Sequence, residues 1–165
     1  MTVAPAQRSR SAILSGAKTV IAEVGSYESN MVDIAARAQV SRATVYNHFA
    51  DKEEMMLSLL ESEILRLADL AKASASPKDA LQILSREISS DPALRKMTET
   101  DHDDIAAFVT ISAHPLWTLV QESLAKVFGA ANSSLVLHWL IGQIASPLTA
   151  GESAKQAEQI ARSLS

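Results

Sequence analysis

The chain has 165 residues, no cysteine and a net charge of −4, which is length enough for a sizeable core in one or two small domains. The lack of cysteine excludes disulfides, thiolate metal sites and cysteine nucleophiles, and suits a reducing compartment. Almost half the residues are apolar and about a fifth are charged, as in ordinary soluble globular chains.

Alanine and leucine are abundant, β-branched alternation is absent, and glycine and proline are few, so the chain reads as helix nearly throughout. Ile13, Ala17, Val20, Ile21 and Val24 share one face and predict a first helix over about Ser9–Val24, stopped by Gly25. Asn30 is the predicted N-cap of a second helix, with Asp33 at N3 as a capping-box variant. That helix ends near Ala38. Ser41 caps a third helix over about Arg42–Phe49. Asp51 caps a fourth, over about 52–72, whose Glu53 and Glu54 suit the positive end of the dipole. Ala73-Ser-Ala-Ser-Pro77 is a break. Further helices are expected at about 78–89, 92–99 (with Asp91-Pro92 as N-cap and N1), 102–113, 115–128, 132–148 and 152–164. The longest apolar run, Leu135 to Ala145, is interrupted by His138, Gly142 and Gln143. It falls short of the roughly 20 apolar residues of a membrane span, so a buried helix and no membrane association are expected. Met1 to Arg10 is polar with two arginines, so no signal peptide and a cytoplasmic location are expected.

Charge is unevenly spread. Residues 1–52 carry six basic against four acidic side chains, a surplus of +2 that leaves −6 for residues 53–165. A basic front and an acidic back suit a protein that meets phosphates with one end only. Within the front, residues 31–54 read as two short helices joined by a tight turn, the pattern of a helix-turn-helix. Ile34, Ala35 and Ala38 face inward on the second helix, Val40 plugs the turn, and Val45 and Phe49 hold the third. Left outward are Arg42, Ala43, Thr44, Tyr46, Asn47 and His48. Arginine can read guanine and asparagine adenine, and an alanine or threonine methyl can touch a thymine methyl. Tyrosine, threonine, histidine and lysine are natural phosphate ligands.

The segment from Gly25 to Glu54 resembles the N-terminal domain of the TetR family of bacterial transcriptional regulators. It carries Gly25, Ser29-Asn30, Asp33-Ile34-Ala35, Ala38-Gln39-Val40-Ser41, Tyr46-Asn47-His48-Phe49 and Lys52-Glu53. One departure is Gln39, where the family has a turn glycine; a positive φ there would cost about 1 kcal/mol relative to glycine. The resemblance implies that Tyr46, His48 and Lys52 grip phosphates, that Ser29 is a phosphate contact before the second helix, and that Arg42, Ala43, Thr44 and Asn47 face bases or the adjoining backbone. Arg8 and Arg10 are further phosphate candidates. For Phe49 the reading is packing, and for Tyr46 a mixed role. The implied fold is all-α: a three-helix helix-turn-helix DNA-binding domain over residues 1–54, then a small helical ligand-binding and dimerisation domain over 55–165, joined by the helix at about 52–72.

The resemblance further implies a homodimer on a near-palindromic double-stranded operator, because two-fold symmetry places two recognition helices in successive major grooves. The helix over 132–148 is apolar almost all round, so it must be covered on more than one side. Leu137, Leu140, Ile141 and Ile144 are the expected dimer interface. A small apolar effector is expected between helices, with Met97, Phe108, Ile111, His114 and Trp117 as lining residues and Leu81 beside them. Asp101-His102-Asp103-Asp104 fits a helix N-terminus better than a metal site, because adjacent helical residues point in different directions. No metal and no cofactor are expected. No Gly-rich phosphate loop, His-Glu-x-x-His or nucleophile elbow is present, so an enzyme is not expected. The expected function is a sequence-specific regulator, a dimeric repressor released by an effector. The alternative is a helical protein-interaction module with a degenerate helix-turn-helix, which Gln39 and the modest basic charge favour and Arg42, Tyr46, His48 and Lys52 oppose.

Overall fold

The computed structural model describes residues 5–110 and 115–164, and within them the regular elements are all helices. They are α1 (Pro5–Val24), α2 (Met31–Arg37), α3 (Arg42–His48), α4 (Lys52–Lys72), α5 (Pro77–Ser89), α6 (Pro92–Thr100), α7 (His102–Val109), α8 (Pro115–Phe128), α9 (Ala130–Ala145) and α10 (Ala150–Ser163). The caps expected from sequence are in place. Asn30 accepts from the Val32 and Asp33 amides, Ser41 from Thr44, and Asp51 from Glu54. Thr149 and Glu152 form a reciprocal capping box that starts α10 ahead of the expected position. α9 ends at Ala145 rather than 148, where Ser146 leaves helical geometry ahead of Pro147, whose ring disfavours the helical conformation in the residue before it. α7 ends at Val109, short of the expected 113, with Thr110 extended. No single helix among the described residues is long and apolar enough to cross a membrane.

Two hydrophobic cores result. The first joins α1, α2, α3 and the start of α4 through Ile13, Ala17, Ile21, Ile34, Val45, Phe49 and Met55. The second joins the end of α4 to α5, α8, α9 and α10 through Ala71, Leu81, Leu84, Leu124, Phe128, Val136, Leu137 and Leu140. α4 runs through both. α6 lies beyond the expected domain boundary at residue 54, yet its Ala93 is part of the first core and Met97 packs against it. Lys18 of α1 pins the start of α6, reaching Glu63 at 2.6 Å and Asp91 at 2.7 Å. Burial alone would lower this ammonium's pKa, but the two carboxylates outweigh it and hold the pKa above the ordinary lysine value.

The second core has one polar seam. Buried Gln143 of α9 accepts through Oε1 from Ser85 at 2.6 Å and Ser89 at 3.1 Å, and Ser153 of α10 donates to Ser85 at 2.6 Å. The seam fixes α5, α9 and α10 in register, since each hydroxyl has one arrangement that satisfies it. α9 is covered largely by its own chain. Leu137, Leu140 and Ile144 are all under 9% exposed within a single chain, so the helix that reads as apolar all round is already buried on the face that holds three of the four expected interface residues. Ile141 is half-buried.

Candidate nucleic-acid interface

The turn between α2 and α3 is a Schellman motif. Val40 donates its amide to Ala35 at 3.1 Å and Gln39 to Ala36 at 3.2 Å, the pairing that closes a helix through a left-handed residue. That residue is Gln39, at φ +56°, the non-glycine with positive φ among the described residues. α1 crosses the turn closely. A Cβ on Gly16 would stand 3.0 Å from the Ala38 nitrogen and 3.1 Å from its Cβ, so a side chain there would push the helices apart.

α3 presents two faces. Val45 and Phe49 are buried in the first core. Arg42, Ala43, Tyr46 and Asn47 are exposed, with Tyr46 at 54%, and Thr44 and His48 are half-buried at the edges. The outward set expected from sequence therefore lies on one face, with two members at its rim. Arg42 has no ion-pair or hydrogen-bonding partner for its guanidinium among the described residues. It also stands at the positive end of a helix with no acid in its first turn, a placement that costs a few tenths of a kcal/mol without an anion to meet it. Arg37, by contrast, is neutralised by Glu23 through a two-pronged contact at 2.6 and 2.7 Å. Arg10 sits with its guanidinium carbon 5.2 Å from the Phe49 ring centroid; Arg8 is exposed.

The structure gives Ser29 and Lys52 a different occupation from the expected phosphate contacts. Ser29 is 3% exposed and donates its hydroxyl to the Ser26 carbonyl at 2.7 Å. The Lys52 ammonium donates to the carbonyls of Ser26, Tyr27 and Ser29 at 2.6, 3.0 and 2.9 Å. An ammonium has three protons, and all three are engaged. Both side chains build the α1–α2 loop. The same loop displays Tyr27, exposed at 79%, which sequence reading did not single out.

Residues 13–59, which run from α1 into α4 and enclose this whole unit, match the family described as bacterial regulatory proteins, tetR family. The front of this chain is a TetR-type N-terminal domain. The chain's fold agrees along nearly the full length with solved TetR-type structures. The TetR family repressor AlkX from Dietzia superposes with a TM-score of 0.65 at 18% identity, covering 94% of each chain. The dihydroxyacetone kinase operon activator DhaS gives 0.66 at 17% identity over 94% of this chain and 93% of that one. FadR from Bacillus subtilis, solved in complex with stearoyl-CoA, gives 0.51 at 18% over 93% and 96%. Among curated proteins, the HTH-type transcriptional regulator BetI of Rhizobium meliloti is 32% identical over 81 residues, 47% of this chain and 40% of that protein. This match spans less than half of the relative's length. These relatives are named as transcriptional regulators, and what this chain shares with them is the helix-turn-helix unit and the all-helical fold.

Of the expected ligand residues, the two whose side chains are described lie against different cores. Met97 packs against the first core and Trp117 against the second. Leu81 is fully buried in the second core. Ile111, His114 and the Phe108 side chain lie outside the described residues. The clefts between described residues are lined by others, one of about 360 Å³ by Arg86, Ser90, Arg95 and Leu148 among them. No group of three acidic or histidine side chains suited to a metal occurs among the described residues.

Proposed function

We propose that this protein is a TetR-family regulator, a homodimeric, cytoplasmic repressor that reads a near-palindromic operator with α3 and releases it when a small apolar effector binds the helical half. The observation that carries this reading is the α3 face itself: Arg42, Ala43, Tyr46 and Asn47 exposed together on a helix locked by Val45 and Phe49. Rigid presentation of a basic, hydrogen-bonding face is what major-groove readout needs. Thr44 and His48 at the rim of this face, and the exposed Arg8 of α1, are proposed as DNA-backbone contacts. Repression needs nothing beyond this surface, since a dimer seated on a promoter excludes the polymerase. Residues 1–54 form the head in this reading and 55–165 the regulatory domain, with α6 fastened to the head.

The second copy is proposed to dock on the exposed face of α9, which carries Ala131, Ser134, Leu135, His138, Gly142 and Ala145, with Leu135 half exposed at 50%. This replaces the face of Leu137, Leu140 and Ile144, which one chain already covers. A Leu135→Glu variant would then sediment as a monomer; a dimer would place the interface elsewhere. Effector binding is proposed in the helical half, beside Trp117 on the second core. The stearoyl-CoA complex of FadR supports an amphipathic acyl ligand, and titrating stearoyl-CoA into a protein–DNA complex tests it through release.

The reading is tested by binding titrations on variant sites. Arg42→Ala and Asn47→Ala weaken binding and change sequence preference, while Tyr46→Ala weakens it across all sequences. Equal effects of all three variants on every site would refute readout by α3.

A further inference from the structure

The loop between α1 and α2 is held from two sides by opposite charges. Its carbonyls at Ser26, Tyr27 and Ser29 converge on the Lys52 ammonium. Its amides face the other way: Ser26 donates to Asp101 Oδ2 at 2.7 Å and Tyr27 to Asp101 Oδ1 at 3.2 Å. The Ser26 hydroxyl adds a bond to Asp104 at 2.6 Å. Cation against carbonyls and carboxylate against amides orients the peptide groups at Ser26 and Tyr27 favourably from both sides, and such charge-assisted bonds are about twice as strong as neutral ones.

We infer that Lys52 and Asp101 are positioning residues for DNA binding, and that Asp101 is the joint through which the α6–α7 corner of the regulatory half holds the head. Two further observations support it. Asp101 is the N-cap residue of α7, where an aspartate ordinarily accepts an amide of the first turn, yet it makes no capping bond. It forgoes its own helix and, only 7% exposed, turns its oxygens to a loop seventy-five positions earlier in the chain. Gly25 makes room for this. At φ +90°, a Cβ on Gly25 would lie 2.5 Å from Thr100 Oγ1 and 2.6 Å from Asp101 Oδ2, so only glycine admits the carboxylate. The clamped loop ends at Asn30, the N-cap of α2, and α2 carries the turn that sets α3. A shift of the α6–α7 corner is therefore passed to the recognition helix through backbone bonds, with no contact to DNA.

The proposal rests on the DNA-binding reading and is tested with a labelled duplex of mixed sequence, because phosphate-led binding is measurable without a known operator. Asp101→Asn keeps the shape but sets an amide group against the loop's N–H groups. Its expected results are exchange of the Ser26 and Tyr27 amides faster by about tenfold, and duplex affinity weaker by about tenfold, with an unchanged salt slope. Lys52→Met is likewise expected to weaken binding without changing the slope. Removal of a lysine that itself grips a phosphate would instead make the slope shallower by about 0.9, and that outcome would overturn the assignment of Lys52. Lys52→Arg keeps the charge and guards against misfolding of the methionine variant. Weaker binding by Lys52→Arg supports a positioning role, and wild-type binding overturns it. Wild-type affinity in Asp101→Asn overturns the joint. Failure of the wild-type protein to bind any duplex would sink the functional reading instead, leaving amide exchange to judge the clamp.

Discussion

Replacing Gln39 with glycine should stabilise the protein. Gln39 sits at φ +56° as the left-handed residue of the Schellman turn, with its amide bonded to Ala36 and the next amide to Ala35. Its side chain is exposed and makes no hydrogen bond among the described residues, so nothing is lost by removing it. A non-glycine residue in this region costs about 1–2 kcal/mol. Glycine gives back about 0.5–1 kcal/mol through the larger freedom of the unfolded chain. The net gain is about 0.5–1 kcal/mol, a rise in Tm of about 1–4 °C for a chain of this length. Reversible thermal melts followed by far-ultraviolet circular dichroism, at fixed protein concentration, measure it. Gln39→Ala carries the same strain and should melt with the wild type. A glycine variant that melts at or below the wild type would refute the left-handed turn or show that the glutamine side chain is bound in solution.

Gln143→Leu should destabilise by about 2–3 kcal/mol, because the Ser85 and Ser89 hydroxyls lose their buried acceptor; urea unfolding reads it, and a neutral effect would mean that water replaces the glutamine. Gly16→Leu should separate α1 from the Ala38 backbone and lower the melting temperature of the head, visible as weaker protection of the α2 and α3 amides; unchanged protection would contradict the close crossing. Glu152 has its pKa lowered by bonds from the Thr149 hydroxyl and amide. The folded state thus binds this proton less tightly than the unfolded chain. The stabilisation is present above the unfolded carboxylate pKa and fades as pH falls through the lower folded value. Wild type and Glu152→Gln should differ in Tm at neutral pH and converge in acid; a constant gap would remove the capping-box bond as its source.

What is legible in the sequence is local. The caps at Asn30, Ser41 and Asp51, the stop at Gly25 and the left-handed Gln39 follow from short-range hydrogen bonding and sterics, which neighbouring residues determine. The two faces of α3 follow from helical periodicity. The partners of Lys52 and Asp101 are not legible in this way, because each side chain acts on residues far off in the chain. A lysine after a capping aspartate, or an aspartate before a helix, gives no hint of a loop brought to it by α1 packing on α6. The apolar circumference of α9 is legible, but its cover is not. Periodicity says that Leu137, Leu140 and Ile144 need burial, not whether α5 and α8 or a second subunit provides it.

Readout of DNA by α3 is tested by selection of bound duplexes from a random pool, with the purified protein near physiological salt. The expected result is enrichment of one site with two inverted half-sites about one helical turn apart, and loss of that preference in Arg42→Ala. A pool that stays random at every salt concentration, while the protein remains folded, would contradict it.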